Sequence, residues 1–301
     1  MYDTILVPTD GSEHAVRAAE HGLYLARAFD ATVHVVNVVD VQAAAGPFGA
    51  GGVDEEYIRR LEAEGERAIE TVEAVVEATD AVETAVVRGR PSEAILDYVD
   101  EHGVDLVAMG THGRTGVERY VAGSVTERVV RLAEVPVLTV RAVERSRVGD
   151  GYDEVLVPTD GSEAAAAAVE HAVAVAARTG ARLHAVNVVD VGRFAAGPDY
   201  NPSLELMRYL EDAGETATGR VAERARAAGV DAVTAVREGT PARELLDYAD
   251  ENDVDLVAMA TAGRTGLSRY LLGSTTERVV RHAEVPVLAV DAGEDDESTE
   301  E

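Results

Sequence analysis

Gly110-x2-Gly113-x9-Gly123-Ser124 is the residue pattern in this sequence with the clearest chemical use. It follows an apolar run, Val104-Asp105-Leu106-Val107-Ala108-Met109, of the kind that forms a buried strand. It ends in Ser124-Val125-Thr126-Glu127, a capping-box pattern that predicts a helix with Ser124 at its cap. A glycine-rich connection from a strand to a helix N-terminus suits phosphate, because bare N–H groups and the positive end of the helix dipole meet there. The segment recurs 150 residues later as Met259-Ala260-Thr261-Ala262-Gly263-Arg264, leading to Gly273-Ser274-Thr275-Thr276-Glu277, with Ala260 replacing Gly110.

The elements that position these residues follow from the hydrophobic pattern. Residues 4–8 read as a short apolar strand, followed by a helix capped by Asp10 or Ser12. Helical spacing sets Val16, Ala19, Leu23 and Ala26 on one face of that helix, with Arg17, Glu20, His21, Tyr24 and Arg27 on another. Residues 33–39 form a second strand, nearly continuous in apolar residues, as expected when helices cover both sheet faces. A glycine- and alanine-rich stretch over 40–53 predicts a mobile loop. A long acidic helix, a third strand over 81–87 and a helix opened by Pro91 come next. Then come the fourth strand, the glycine stretch, a helix over 124–133 and a final strand over 135–140. This β-α alternation predicts an α/β fold, a doubly wound parallel sheet of five strands in the order 3-2-1-4-5. Both the Asp10 turn and the Gly110 turn then lie at the crevice where such sheets bind ligands.

The repeat sets the domain organisation. Pro8-Thr9-Asp10-Gly11-Ser12 matches Pro158-Thr159-Asp160-Gly161-Ser162, and Val36-Asn37-Val38-Val39 matches Val186-Asn187-Val188-Val189, all at a constant offset of 150. The chain divides into domains over 1–141 and 152–291, a linker over 142–151 carrying Arg145 and Arg147 next to Arg141, and a disordered acidic tail over 292–301. Pro136 sits early in the last strand and puts that strand at the edge of its own sheet. Its apolar edge needs cover, and the equivalent edge over 287–290 supplies it, giving a pseudo-dimer within one chain. Further homo-oligomerisation is left open.

The 301 residues carry a net charge of −29, with no lysine and no cysteine. Such acidity disfavours nucleic acid and anionic membranes as partners. It fits solubility in concentrated salt, the habit of a halophile, where screening removes the self-repulsion. The absence of cysteine excludes disulfides and thiol chemistry, and no signal or spanning segment is visible, which predicts a cytoplasmic protein. The absence of lysine excludes a Walker-type phosphate loop.

The spacing from Gly110 to Ser124 resembles the nucleotide-binding motif of the universal stress protein family. The Val7-Pro8-Thr9-Asp10-Gly11-Ser12 turn and the Val135-Pro136-Val137-Leu138 ending are similar to that family too, and the resemblance covers nearly the whole chain twice. It implies a tandem, ATP-binding stress-response protein of haloarchaeal type. It also implies that Asp10 accepts hydrogen bonds from ribose hydroxyls and that the Val38 main chain meets the adenine edge. Gly110 would let ribose or α-phosphate approach without a Cβ, Gly113 and Gly123 would offer N–H groups to phosphate, and Ser124 would offer both hydroxyl and N–H.

The first site is therefore read as Pro8, Thr9, Asp10, Val38, Met109, Gly110, Gly113, Arg114, Gly123 and Ser124. A second site comprises Pro158, Thr159, Asp160, Val188, Met259, Gly263, Arg264, Gly273 and Ser274, weakened because the methyl of Ala260 would crowd the nucleotide. Residues 110–131 carry four arginines (Arg114, Arg119, Arg128, Arg131) against two glutamates, and residues 260–281 four against one, which favours an anion unless those arginines pair with neighbouring helices. His112 is a surface residue, since Ala262 replaces it in the second copy. Any divalent ion would be Mg²⁺, held largely by phosphates and water. The leading function is an adenine-nucleotide-dependent switch or sensor read by protein partners the sequence does not name. The alternatives are a slow ATP hydrolase using Arg114 and a nucleotide-free interaction module. Binding would order the 40–53 loop.

Overall fold

The computed structural model describes residues 1–41, 55–113, 123–190, 203–261 and 272–291. The loop read over 40–53 falls outside them from residue 42, and the acidic tail from residue 292. The first copy runs β1 (Thr4–Pro8), α1 (Glu13–Phe29), β2 (Thr32–Val39), α2 (Glu55–Glu73), β3 (Val82–Arg88), α3 (Pro91–His102), β4 (Leu106–Gly110), α4 (Ser124–Leu132) and β5 (Val137–Val140). The second runs β6 (Glu154–Pro158), α5 (Glu163–Thr179), β7 (Arg182–Val189), α6 (Leu204–Ala227), β8 (Ala232–Glu238), α7 (Pro241–Glu251), β9 (Leu256–Ala260), α8 (Ser274–His282) and β10 (Val287–Val290).

Local chemistry explains these boundaries. Ser12 rather than Asp10 caps α1, its hydroxyl accepting from the Ala15 N–H at 3.3 Å. Ser162 does the same for α5. Pro91 and Pro241 occupy the first turns of α3 and α7, where a missing N–H costs nothing. Asp30, in a left-handed conformation, ends α1 where Gly180 ends α5.

The strands of each copy take the predicted order 3-2-1-4-5, and the two sets merge into one sheet, β3-β2-β1-β4-β5-β10-β9-β6-β7-β8. Every pairing is parallel except the one at the centre, where β5 and β10 run antiparallel with Leu138 opposite Leu288. Pro136 precedes β5, and its carbonyl accepts from the Val107 N–H at 3.0 Å. One face of the sheet carries a core shared by both copies, including Ile5, Val7 and Leu138 from the first and Val155, Val157 and Leu288 from the second. The opposite face carries two cores, one around Val107, Ile95 and Val129 of the first copy, which Ala289 of the second also joins, and one around Val257, Leu245 and Val279 of the second.

The copies differ where the constant offset predicts identity. Gly65 in α2 corresponds to Gly214 in α6, because each would place a Cβ against the side-chain oxygen of the equivalent asparagine, Asn37 at 2.5 Å and Asn187 at 2.6 Å. That pairing shifts the register of this helix by one residue. The slack is taken up at its end: α2 stops at Glu73, whereas α6 continues to Ala227.

The two halves also meet through a reciprocal pair of hydrogen bonds. Tyr2 Oη lies 2.7 Å from His171 Nδ1, and Tyr152 Oη lies 2.7 Å from His21 Nδ1. His21, grouped by spacing with charged residues, is thereby only 1% exposed, because the second copy covers that face of α1. Burial pushes its pKa down to about 4. No helix among the described residues is long and apolar enough to cross a membrane.

Candidate functional site

All strands of one copy point the same way, so the C-terminal ends of β1, β2 and β4 open onto one crevice. There the β1–β2 ladder stops. The Thr9 N–H still bonds the Val36 carbonyl at 2.8 Å, continuing the spacing begun by Thr32 N–H to Asp3 C=O. The next bond in that series would join the Val38 N–H to the Thr9 carbonyl. Among the described residues it is not made; the Thr9 carbonyl instead accepts from Asn37 Nδ2 at 2.7 Å. Odd-numbered residues of β2 bond β3, as Val33 and Val39 do, so the Val38 N–H and C=O face the side that β1 has vacated. The second copy repeats the arrangement, with Thr159 N–H on Val186 C=O at 2.9 Å and Asn187 Nδ2 on Thr159 C=O at 2.7 Å.

Across the crevice, β4 leads to the helix N-terminus. Thr111 N–H bonds the Val140 carbonyl, and the Thr111 carbonyl takes the Gly123 N–H at 2.7 Å. Thr126 Oγ1 donates to the Gly110 carbonyl at 2.7 Å, stapling the first turn of α4 to the strand end. Thr261, Gly273, Thr276 and Ala260 repeat all of these contacts. Asn37 and Thr126 were not singled out from the sequence. Their signal is recurrence at the offset of 150, for Asn37 as a polar residue inside an apolar strand and for Thr126 as the third residue of the helix start.

Three expected roles are corrected here. Gly123, in extended conformation, is the N-cap of α4, and it makes no side-chain cap; Ser124 is already the first helical residue and is exposed. Its hydroxyl is therefore not the cap, while its N–H belongs to the helix start that has no intrahelical acceptor. The Gly123 N–H is spent on Thr111 and does not await phosphate. Gly110 is small for a different neighbour: a Cβ there would lie 2.7–2.9 Å from the His14 main chain and Cβ in α1. In the second copy Ala164 stands where His14 does, and the Ala260 methyl belongs to the shared core. Ala260 also lines the second cleft, beside Met259 and Gly273.

Gly113 packs closely against Asp10. A Cβ on Gly113 would come 2.6 Å from Asp10 Oδ2, so the carboxylate abuts the glycine main chain. Asp10 Oδ1 meanwhile accepts the Ser12 N–H at 3.0 Å. His112 is half-buried, its ring centroid 5.1 Å from that of His14. Burial, then the neighbouring His112 and Arg141, lower the pKa of His14 against the opposing pull of Glu13 and Asp10. Among the basic residues, Arg128 pairs with Glu93 of α3 at 3.1 Å and Arg281 with Glu277 at 2.9 Å, the ordinary fate of exposed arginines. Arg114, Arg119, Gly263 and Arg264 lie outside the described residues.

In the second copy the crevice is a cleft of about 360 Å³. Pro158, Thr159, Asp160 and Val188 line one side, and Met259, Gly273 and Ser274 the other. Pro8, Thr9, Asp10, Val38, Met109 and Ser124 hold the equivalent places in the first. No group of three metal-ligating side chains occurs among the described residues.

Comparisons with known proteins agree with this organisation. The family model described as "Universal stress protein family" matches residues 1–141 and again 151–291. A universal stress protein of Methanocaldococcus jannaschii is 38% identical over 139 residues, covering 46% of this chain and 82% of its own length. One of Mycolicibacterium smegmatis is 29% identical over 303 residues, 95% of this chain and 96% of that protein. The crystal structure of a universal stress protein from Archaeoglobus fulgidus shares the fold with a TM-score of 0.69 at 24% identity, over 98% of each chain. Matched twice by one family model, over residues 1–141 and 151–291, the chain belongs to the universal stress protein family.

Proposed function

We propose that each domain, 1–141 and 152–291, binds an adenine nucleotide across the C-terminal edge of its half of the sheet, and that the chain acts as a nucleotide-dependent switch in the stress response. The observation that carries this reading is the interrupted ladder at Val38 and Val188. It leaves a main-chain donor and acceptor side by side at the crevice. Adenine presents an N6–H₂ donor beside ring-nitrogen acceptors, which such a pair can meet. Asp10 and Asp160, next in the chain after Thr9 and Thr159, suit ribose hydroxyls. The N-termini of α4 and α8 face the same crevice and suit phosphate. The second-copy cleft falls within the range of about 300–1,000 Å³ usual for small-molecule sites.

Ala260 packs in the shared core and also lines the second cleft, so its methyl narrows that site, which takes nucleotide more weakly than the first. Mg²⁺ would enter with the phosphates rather than on protein ligands. The antiparallel β5–β10 seam makes the chain an internal pseudo-dimer, and its acidity suits a salt-rich cytoplasm. The reading assigns binding rather than turnover. Denaturing the purified protein and chromatographing the supernatant tests it. Released adenine nucleotide is the expected result; none released, together with no heat on titration with ATP, overturns it.

A further inference from the structure

The linker is pinned on one side to α1. The His14 imidazole accepts the Ala142 N–H at 2.9 Å, His21 Nε2 meets the Ser146 carbonyl at 2.7 Å, and the Tyr24 hydroxyl accepts the Tyr152 N–H at 3.1 Å. Between these anchors the chain makes one 3₁₀ turn, Glu144–Ser146, held by Ser146 Oγ on the Val143 carbonyl at 2.9 Å. On its other side two arginines reach into the second domain. Arg141 donates to the Arg281 carbonyl in the last turn of α8. Arg145 donates to the Ala249 carbonyl at 2.7 Å and pairs with Asp250 at 2.7 Å, in the last turn of α7. That turn of α7 has no basic residue of its own.

The opposite ends of these two helices form the second cleft. Pro241 and Leu245 come from the start of α7, and Ser274, Thr275 and Thr276 from the start of α8. We infer that Arg141 and Arg145 are positioning residues for the second site, a strut by which the first domain holds in place the two helices, α7 and α8, whose first turns line it. This rests on the nucleotide reading above. A helix is a rigid rod, so hydrogen bonds that fix its last turn against the first domain also fix where its first turn lies; α8 has Arg281 and His282 of its own in that last turn, α7 no basic residue. The arrangement has one direction. The repeat of Arg141 is Asp291, an anion, so the second domain offers no matching cation at that place to α4.

The test is calorimetric titration of the full chain with ATP in two backgrounds. Ser274→Asp puts a carboxylate at the start of α8 and silences the second site; Ser124→Asp silences the first. Arg145→Gln should weaken the second site about three- to tenfold, leave the first unchanged, and be partly rescued by Arg145→Lys. Hydrogen exchange without ligand gives an independent readout: Arg145→Gln should lower the protection of α7 and leave α3 unaltered. Equal weakening of both sites, or unaltered second-site affinity with unaltered α7 exchange, overturns the strut. No binding in the unmodified protein overturns the nucleotide reading and the strut with it; binding and α7 exchange both unaffected by Arg145→Gln overturn the strut alone.

Discussion

Lowering the pH from about 7 to about 4 asks the buried imidazole of His21 to take a proton that the folded interface cannot easily accommodate. One ring nitrogen meets the Tyr152 hydroxyl and the other the Ser146 carbonyl, both at 2.7 Å, so the group sits neutral between the two halves. Its pKa is lowered from 6.5 to about 4, chiefly by burial. In the unfolded chain the imidazole protonates as the pH falls through 6.5; in the folded chain it does so only near 4. Across that window the unfolded state binds more protons, so stability is full above it and falls as the pH falls. The loss reaches about 3 kcal/mol below the window, since one pK unit is worth about 1.4 kcal/mol. That is a large part of the roughly 5–15 kcal/mol that holds a typical domain together. Carboxylates also titrate here, so the comparison is between the native protein and His21→Gln, unfolded with urea at a series of pH values in fixed salt. The native protein should lose about 3 kcal/mol more than the variant between neutrality and the acid end. Parallel pH profiles would refute the reasoning, because a neutral buried His21 requires the slopes to differ.

Gly113→Val should reduce nucleotide affinity in the first domain by at least about tenfold, leaving the second unchanged in calorimetry, because the new Cβ meets Asp10 Oδ2 at 2.6 Å. Unchanged first-domain affinity would show that Asp10 can move without consequence. Asn37→Ala leaves the Thr9 carbonyl without its 2.7 Å partner and should cost about 1–3 kcal/mol in urea unfolding; a negligible change would mean that water replaces the amide. The net charge of −29 predicts a higher unfolding midpoint as salt is raised from about 0.1 to about 1 M, where the screening length falls from about 10 to about 3 Å. A midpoint insensitive to salt would contradict self-repulsion.

The strand order was legible because period, turn chemistry and the repeat all point to the same sheet. Pro8, Thr9, Asp10 and Val38 could be placed at its C-terminal edge for the same reason. What could not be read depends on contacts between residues far apart in the chain. The spacing of α1 put His21 among charged residues, but Tyr152 and Ser146, more than 100 residues away, bury it. Gly110 looked like an opening for a ligand, yet its neighbour is the main chain of His14. Ser124 carries a capping-box pattern that is one residue out of register, because the Thr111 carbonyl holds Gly123 in the cap position. Asn37 was visible as a polar interruption in β2, but its task exists only once β1 has ended beside it.

The central claim is that exposed main chain at Val38 and Val188, with the helix starts at Ser124 and Ser274, holds adenine nucleotide. Titration of the nucleotide-free full-length protein with ATP, followed by ¹⁵N amide spectra, tests it most directly. The account predicts saturable binding at two sites per chain, displacement of the Val38 and Val188 amide resonances, and loss of one site each in Ser124→Asp and Ser274→Asp. Saturable binding that leaves both valine amides unmoved, or no binding at all, would contradict it.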